Sequence, residues 1–175
     1  MEGLAWESLI EGQIRQNGRL FFRLAYNVLR DSPAAEDVCQ QAFLRACEQR
    51  QQILHNPAAL KAWLVRTVLN GSLQAVRRGK VERRAMQDQA RLRSTAAADP
   101  PPGGADELRE TVLAALGRLP EQTRLVVALR VMEGLAGNEV KELLGCSAAE
   151  VSRQLHRGLE QLRGLMVERE TDAVG

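Results

Sequence analysis

Ser152, Arg153, Gln154, His156 and Arg157 stand close together in the chain, and each can donate hydrogen bonds to phosphate oxygens or base edges. A second polar set lies between Lys61 and Arg93, where nine basic residues stand against Glu82 and Asp88, a local excess of seven. A block of this kind forms either a solvated face or a phosphate-binding helix. Within it Arg66 and Asn70 are spaced to share one helical face, and Arg77 and Arg78 follow. An arginine fork clamps phosphates, and an asparagine amide bonds base edges or backbone. A third set, Asp31, Glu36 and Asp37 with His55, could in principle do acid–base work. Those acids fit helix punctuation better, and no H-E-x-x-H, P-loop or nucleophile motif accompanies them. An enzyme is therefore the weakest of the readings.

The elements that must carry these side chains are helices. Val140, Leu143 and Leu144 fall on one helical face, Gly145 breaks the run, and Val151, Leu155, Leu159 and Leu162 recur at helical spacing beyond it. Ser147 is a suitable N-cap with Glu150 three residues on. Two short helices joined by a glycine turn predict a helix-turn-helix, whose second helix enters the DNA major groove. The competing reading is an ordinary helical hairpin.

Upstream, Ile10 to Leu29 carries a helical stripe with a predicted break near Gly18. Asp31-Ser32-Pro33 predicts a stop and restart, with Ser32 as cap, Pro33 at the first helical position and Glu36 and Asp37 in the first turn. Gln51 to Pro57 reads as a loop, and Ala58 to Arg78 as a helix with Leu60, Trp63, Leu64, Thr67, Val68 and Leu73 inward. Gly71 should weaken that helix by about 1 kcal/mol relative to alanine. Trp63 could stack on a base, but Leu60 and Leu64 beside it favour core packing. Glu107 to Leu119 reads as a further helix, and Pro120 opens the next, through Val131.

Ser94 to Asp106, STAAADPPPGGAD, cannot continue a helix and predicts a flexible linker. The expected organisation is all-α: two small helical domains at 1–93 and 107–169, a linker at 94–106 and a frayed tail at 170–175. The 175 residues are 45% hydrophobic and only 3% aromatic, with Leu, Val and Ala prevailing, which favours helix over sheet. A net charge of +2 excludes a uniformly basic nucleic-acid glue. Cys39, Cys47 and Cys146 form no C-x-x-C pair, and their odd number argues against a disulfide framework. With no signal-like segment and no apolar run of about 18 residues, a soluble cytoplasmic protein without metal or cofactor is expected.

Three stretches in order resemble one family. FFRLAYNVLRDSPAAEDVCQQAFLRACE, Phe21 to Glu48, is similar to the core-polymerase-binding region of bacterial RNA polymerase sigma factors of the sigma-70 family, extracytoplasmic-function (group IV) type. ALKAWLVRTVLNGSLQAVRRG, Ala59 to Gly79, resembles their −10 helix, and Leu113 to Arg163 resembles their −35-binding domain. The resemblance implies region 2 at 1–93 and region 4 at 107–169, binding to the β and β′ subunits of core RNA polymerase, and promoter recognition with strand opening. It implies docking on the β′ clamp through Asp37, Gln40, Gln41 and Leu44. It implies −10 contacts from Arg66, Asn70, Arg77 and Arg78, with His55 and Asn56 in a loop that captures a flipped base, and −35 contacts from Ser152, Arg153, Gln154, His156 and Arg157. An anti-sigma factor is a candidate partner.

The chain departs from the family pattern at several positions. Gln41 replaces a glutamate, Gln74 an aspartate, and Gly71 and Ser72 an apolar pair. Gly137 stands where an aromatic is common and Lys141 where a small residue is usual, while Ser152-Arg153-Gln154 replaces Lys-Ser-Arg. The alternative function is a free-standing helix-turn-helix regulator, which has no need of a polymerase-docking segment.

Overall fold

A computed structural model of the chain describes residues 2–51, 53, 56–93 and 104–172. Most of the described residues are helical, with no strand among them, as the low aromatic and high Leu, Val and Ala content predicts.

The first helix, α1 (Glu2–Leu29), runs through Gly18 without the expected break. It buries Trp6, Ile10, Phe21, Leu24, Ala25 and Val28. That burial on both sides of Gly18 outweighs the roughly 1 kcal/mol that a helical glycine costs. Arg30, in the left-handed region at φ 55°, ends α1. Its N–H still donates to Tyr26 O at 2.8 Å.

The turn at Arg30 leaves Asp31 extended, so Asp31 rather than Ser32 is the cap of α2 (Ser32–Glu48), and its carboxylate accepts from Ala34 N at 2.8 Å. The helix therefore starts one residue early, and Glu36 and Asp37 fall beyond its first turn, contrary to expectation. Their charges gain little from the helix dipole there.

Helix α3 (Pro57–Arg93) extends well past the expected end at Arg78. Asn56 starts it, its side-chain oxygen accepting from Ala59 N at 2.8 Å. Leu60, Leu64, Val65, Val68, Leu69 and Leu73 are buried between α1 and α2, while Trp63 and Thr67 are only half-buried. Phe21 and Phe43 meet edge to face, centroids 5.8 Å apart. Gly71 has a positive use: a Cβ there would lie 3.3 Å from Val38 Cγ1, so the glycine lets α2 approach α3. Buried Ser72 satisfies its hydroxyl on Val68 O at 2.8 Å.

The second unit contains α4 (Gly104–Arg118), α5 (Glu121–Val127), a π-helical turn at Ala128–Met132, α6 (Gly137–Leu144) and α7 (Ala148–Asp172). Residues 94–103 of the expected linker lie outside the described residues, and its last three, Gly104 to Asp106, already belong to α4. Helix α7 continues through Asp172, beyond the expected end at Arg169. Leu125, Val126, Ala128, Leu129 and Val140 are fully buried, and Leu116, Leu119 and Val151 close around them.

The two units touch. Glu133, whose side chain is 1% exposed, pairs with Arg23 at 3.1 Å and accepts from Asn27 Nδ2 at 2.8 Å. Arg109 donates to Val28 O, across the same boundary.

Candidate nucleic-acid interface

The polar face of α3 forms the floor of a cavity of about 290 Å³. Arg66, Asn70 and Gln74 follow one another at one-turn spacing along it, with Trp63 at one end, Arg45 and Gln49 of α2 beside it and Glu121 of α5 above. Two buried atoms in its lining have no hydrogen-bond partner, Arg66 Nε and Asn70 Oδ1. Such atoms carry unspent capacity for a polar ligand. The half-buried Trp63 both packs on the core and contributes its ring to the cavity, so the two readings of this residue are compatible. Exposed Gln74 offers a donor and an acceptor where an aspartate would add a negative charge next to bound phosphate.

The other expected contacts on this side differ in availability. Arg78 is exposed, whereas Arg77 donates to Gly117 O at 2.8 Å and Asn70 Nδ2 to Glu121 Oε1 at 3.0 Å. Asn56 has its side-chain oxygen committed to capping α3, which leaves its amide NH2. His55 lies outside the described residues.

Asp37, Gln40, Gln41 and Leu44 are all exposed and share one face of α2. Leu44 is 56% exposed, an apolar side chain set among three polar ones. Val38 and Phe43 pack inward, against the core. Cys39 is on the inner side as well. Burial and the adjacent Glu36 push its thiol up to about 11, so it is a protonated packing group at neutral pH.

The turn between α6 and α7 forms as the sequence predicts. Gly145 takes a left-handed conformation at φ 65°, Cys146 N donates to Lys141 O at 3.1 Å, and Glu150 N donates to Ser147 Oγ at 3.1 Å. The reciprocal half of the predicted capping box is replaced: the Glu150 carboxylate accepts from Gln154 Nε2 at 2.5 Å and from Arg153. Hydrogen bonds from Gln154 and Arg153 hold Glu150 below the usual carboxylate range, so it is ionised and Arg153 starts out paired at neutral pH. Lys141 is half-buried, with Val140 and Leu143 buried on either side, so α6 keeps its apolar face.

On α7 Ser152, Arg153, His156 and Arg157 are exposed. His156 Nε2 lies 3.2 Å from Glu160. Gln154, expected among the −35 contacts, is half-buried and turns inward to accept from buried Thr123 Oγ1 at 2.5 Å. Leu159, expected in the apolar stripe, is 43% exposed. The stripe passes through Gly158 instead, two turns after Val151. A Cβ on Gly158 would lie 2.5 Å from Val127 Cγ2 and 2.9 Å from Thr123 Cγ2. The sequence signal for this was a glycine at heptad spacing in an otherwise amphipathic helix. Gly158→Ala is expected to destabilise the second unit by about 1–3 kcal/mol through overpacking. Thermal unfolding followed by circular dichroism would register it, and an unchanged midpoint would show that α5 and α7 can separate freely.

The model for Sigma-70 region 2 matches residues 13–82 and that for Sigma-70 region 4 matches residues 109–162. The chain is 31% identical to the ECF RNA polymerase sigma factor SigE of Mycolicibacterium smegmatis, over 96% of this chain and 64% of that one. It is 32% identical to the probable RNA polymerase sigma factor RfaY of Xanthomonas campestris pv. campestris, over 83% of this chain and 37% of that one. The chain thus spans under two thirds of the length of these two relatives. To SigW, an ECF sigma factor of Bacillus subtilis, it is 28% identical, over 81% of this chain and 80% of that one. With both regions matched in order along the chain, this chain belongs to the sigma-70 family, extracytoplasmic-function type.

Proposed function

We propose that the chain is a promoter-specificity subunit that brings core RNA polymerase to its promoters. The observation that carries this reading is the exposed Leu44 among Asp37, Gln40 and Gln41 on α2. An apolar side chain of that size, ringed by polar groups on one helix face, suits docking on a second helix. A free-standing helix-turn-helix regulator has no use for it. In this reading α2 docks on the β′ clamp, and Arg66, Asn70 and Gln74 meet the −10 element with help from Arg77, Arg78, Asn56 and His55. Ser152, Arg153, His156 and Arg157 meet the −35 element, and Gln154 supports α7 from within.

The chain catalyses nothing by itself; the polymerase supplies the chemistry. No described helix is long and apolar enough to cross a membrane. Its place of action is the cytoplasm, where the polymerase is, and an anti-sigma factor is a candidate partner. The regions 1–93 and 107–169 correspond to region 2 and region 4 respectively. Affinity purification of the tagged chain tests the reading. The β and β′ subunits are expected in the eluate, and their absence alongside tight, dimeric binding of duplex DNA by the chain alone would favour the regulator.

A further inference from the structure

A buried hydroxyl on α5 is tied by hydrogen bonds to an exposed arginine on α7. Thr123, 1% exposed, donates its hydroxyl proton to Gln154 Oε1 at 2.5 Å. The acceptor side of the amide is thereby turned to α5, and its Nε2 donates to Glu150 Oε1 at 2.5 Å. The other carboxylate oxygen, Glu150 Oε2, accepts from Arg153 Nη2. Both oxygens of Glu150 are engaged, one by the core side and one by the arginine. The origin of this chain of bonds is fixed. Thr123 sits in the seam where Gly158 brings α7 against α5, and its Cγ2 would lie 2.9 Å from a Cβ at position 158.

At the other end, the Arg153 side chain is 68% exposed. A surface ion pair alone holds an arginine loosely, because two long side chains lose entropy for a screened attraction. Here the carboxylate is itself held from behind, and successive bonds polarise one another. One of the five N–H groups of the guanidinium is spent on Glu150, which leaves four for a base edge and a phosphate. We propose that Thr123, Gln154 and Glu150 are positioning residues that aim the Arg153 guanidinium, so that sequence preference at the base pair it reads is set in part from α5. This rests on Arg153 meeting the −35 element, as read above. None of the three needs to touch DNA. A reader discriminates only while its fork stays within about half an ångström of the productive geometry, and hydrogen bonds behind it supply that constraint. A guanidinium that swings freely still attracts phosphate, so losing the chain of bonds costs discrimination more than attraction.

Thr123→Val keeps the shape of the side chain in the seam and removes the hydroxyl, which Thr123→Ser restores. Gln154→Met keeps the length of the side chain and removes the amide. Each variant, with core RNA polymerase, transcribes a library that carries every single-base change across the upstream element of a promoter selected with the wild-type chain. Arg153→Ala identifies the base pair that Arg153 reads. At that pair Thr123→Val and Gln154→Met are expected to lower the preference for the best base by about fivefold, against about tenfold or more for Arg153→Ala. Other positions should keep their preferences, and Thr123→Ser should match the wild type. In the free chain, nitrogen-15 relaxation of the Arg153 Nε–H group should give a lower order parameter in Thr123→Val and Gln154→Met than in the wild type and Thr123→Ser. A purely structural role would lower transcription from all library members alike and leave the preference unchanged. That result overturns the proposal while the reading of Arg153 stands, and so do equal order parameters or a lost preference that Thr123→Ser fails to retain. If Arg153→Ala flattens no position, the −35 reading of Arg153 falls and the proposal falls with it.

Discussion

Leu44→Asp, alone or with Asp37→Arg, is expected to reduce recovery of β and β′ with the tagged chain to about a tenth of wild type or less. Leu44 is 56% exposed in the free chain, so most of its apolar surface remains to be buried on docking. Full burial of a leucine contributes about 1.5–3 kcal/mol, which corresponds to roughly ten- to a hundredfold in affinity. An aspartate at that point must also be desolvated against the partner. The fold should tolerate both changes. Leu44 contributes little to the core, and Asp37 lies past the first turn of α2, where a charge reversal disturbs the helix dipole little. Circular dichroism would check this. Wild-type recovery of the polymerase subunits by a folded double variant would mean that the docking face lies elsewhere.

Arg66→Ala is expected to lower promoter opening by about tenfold or more while leaving the chain folded, since a charged hydrogen bond lost at the DNA is worth roughly 1.5–3 kcal/mol. The Arg66 Nε atom is buried without a hydrogen-bond partner, so truncation removes an unsatisfied donor from the fold rather than breaking a bond within it. Asn70→Ala is expected to act in the same direction but less cleanly, because Asn70 also holds Glu121 and its loss removes that contact between α3 and α5. Permanganate reactivity of unpaired thymines in a polymerase–promoter complex reports opening directly. Reactivity at wild-type levels with Arg66→Ala would remove the α3 cavity from the strand-opening site.

The sequence is most legible where the signal is local. Helical periodicity marks α2, α6 and α7, and Gly145 with Ser147 marks the turn between the last two, because cap and turn chemistry act within a few residues. The same locality explains the near misses. Asp31 and Ser32 are both good caps, and the left-handed Arg30 decides between them. Gly18 is a weak breaker that burial on α1 overrides. On α7, counting only leucines put Leu159 inside, whereas Gly158 is the residue that faces Val127 and Thr123.

The partners of Asn70 and Arg77 were invisible because they are set by the meeting of segments far apart in the chain. Glu121 is 51 residues from Asn70, and Glu133 is 110 from Arg23. No local pattern distinguishes Glu121 or Glu133 from other helical acids. Gln154 is a related case. Its position on a helical wheel suggests an outward reader, and only the neighbouring Thr123 hydroxyl turns it inward.

The central claim is that the chain gives core RNA polymerase its promoter specificity. The most direct measurement is in vitro run-off transcription from genomic promoter fragments with purified core polymerase, with and without this chain. The account predicts discrete transcripts from a subset of fragments only when both components are present, with little stable binding of those fragments by the chain alone. Core polymerase that gains no promoter-specific transcripts on addition of the folded chain, while the chain alone binds the same duplexes tightly as a dimer, would contradict it.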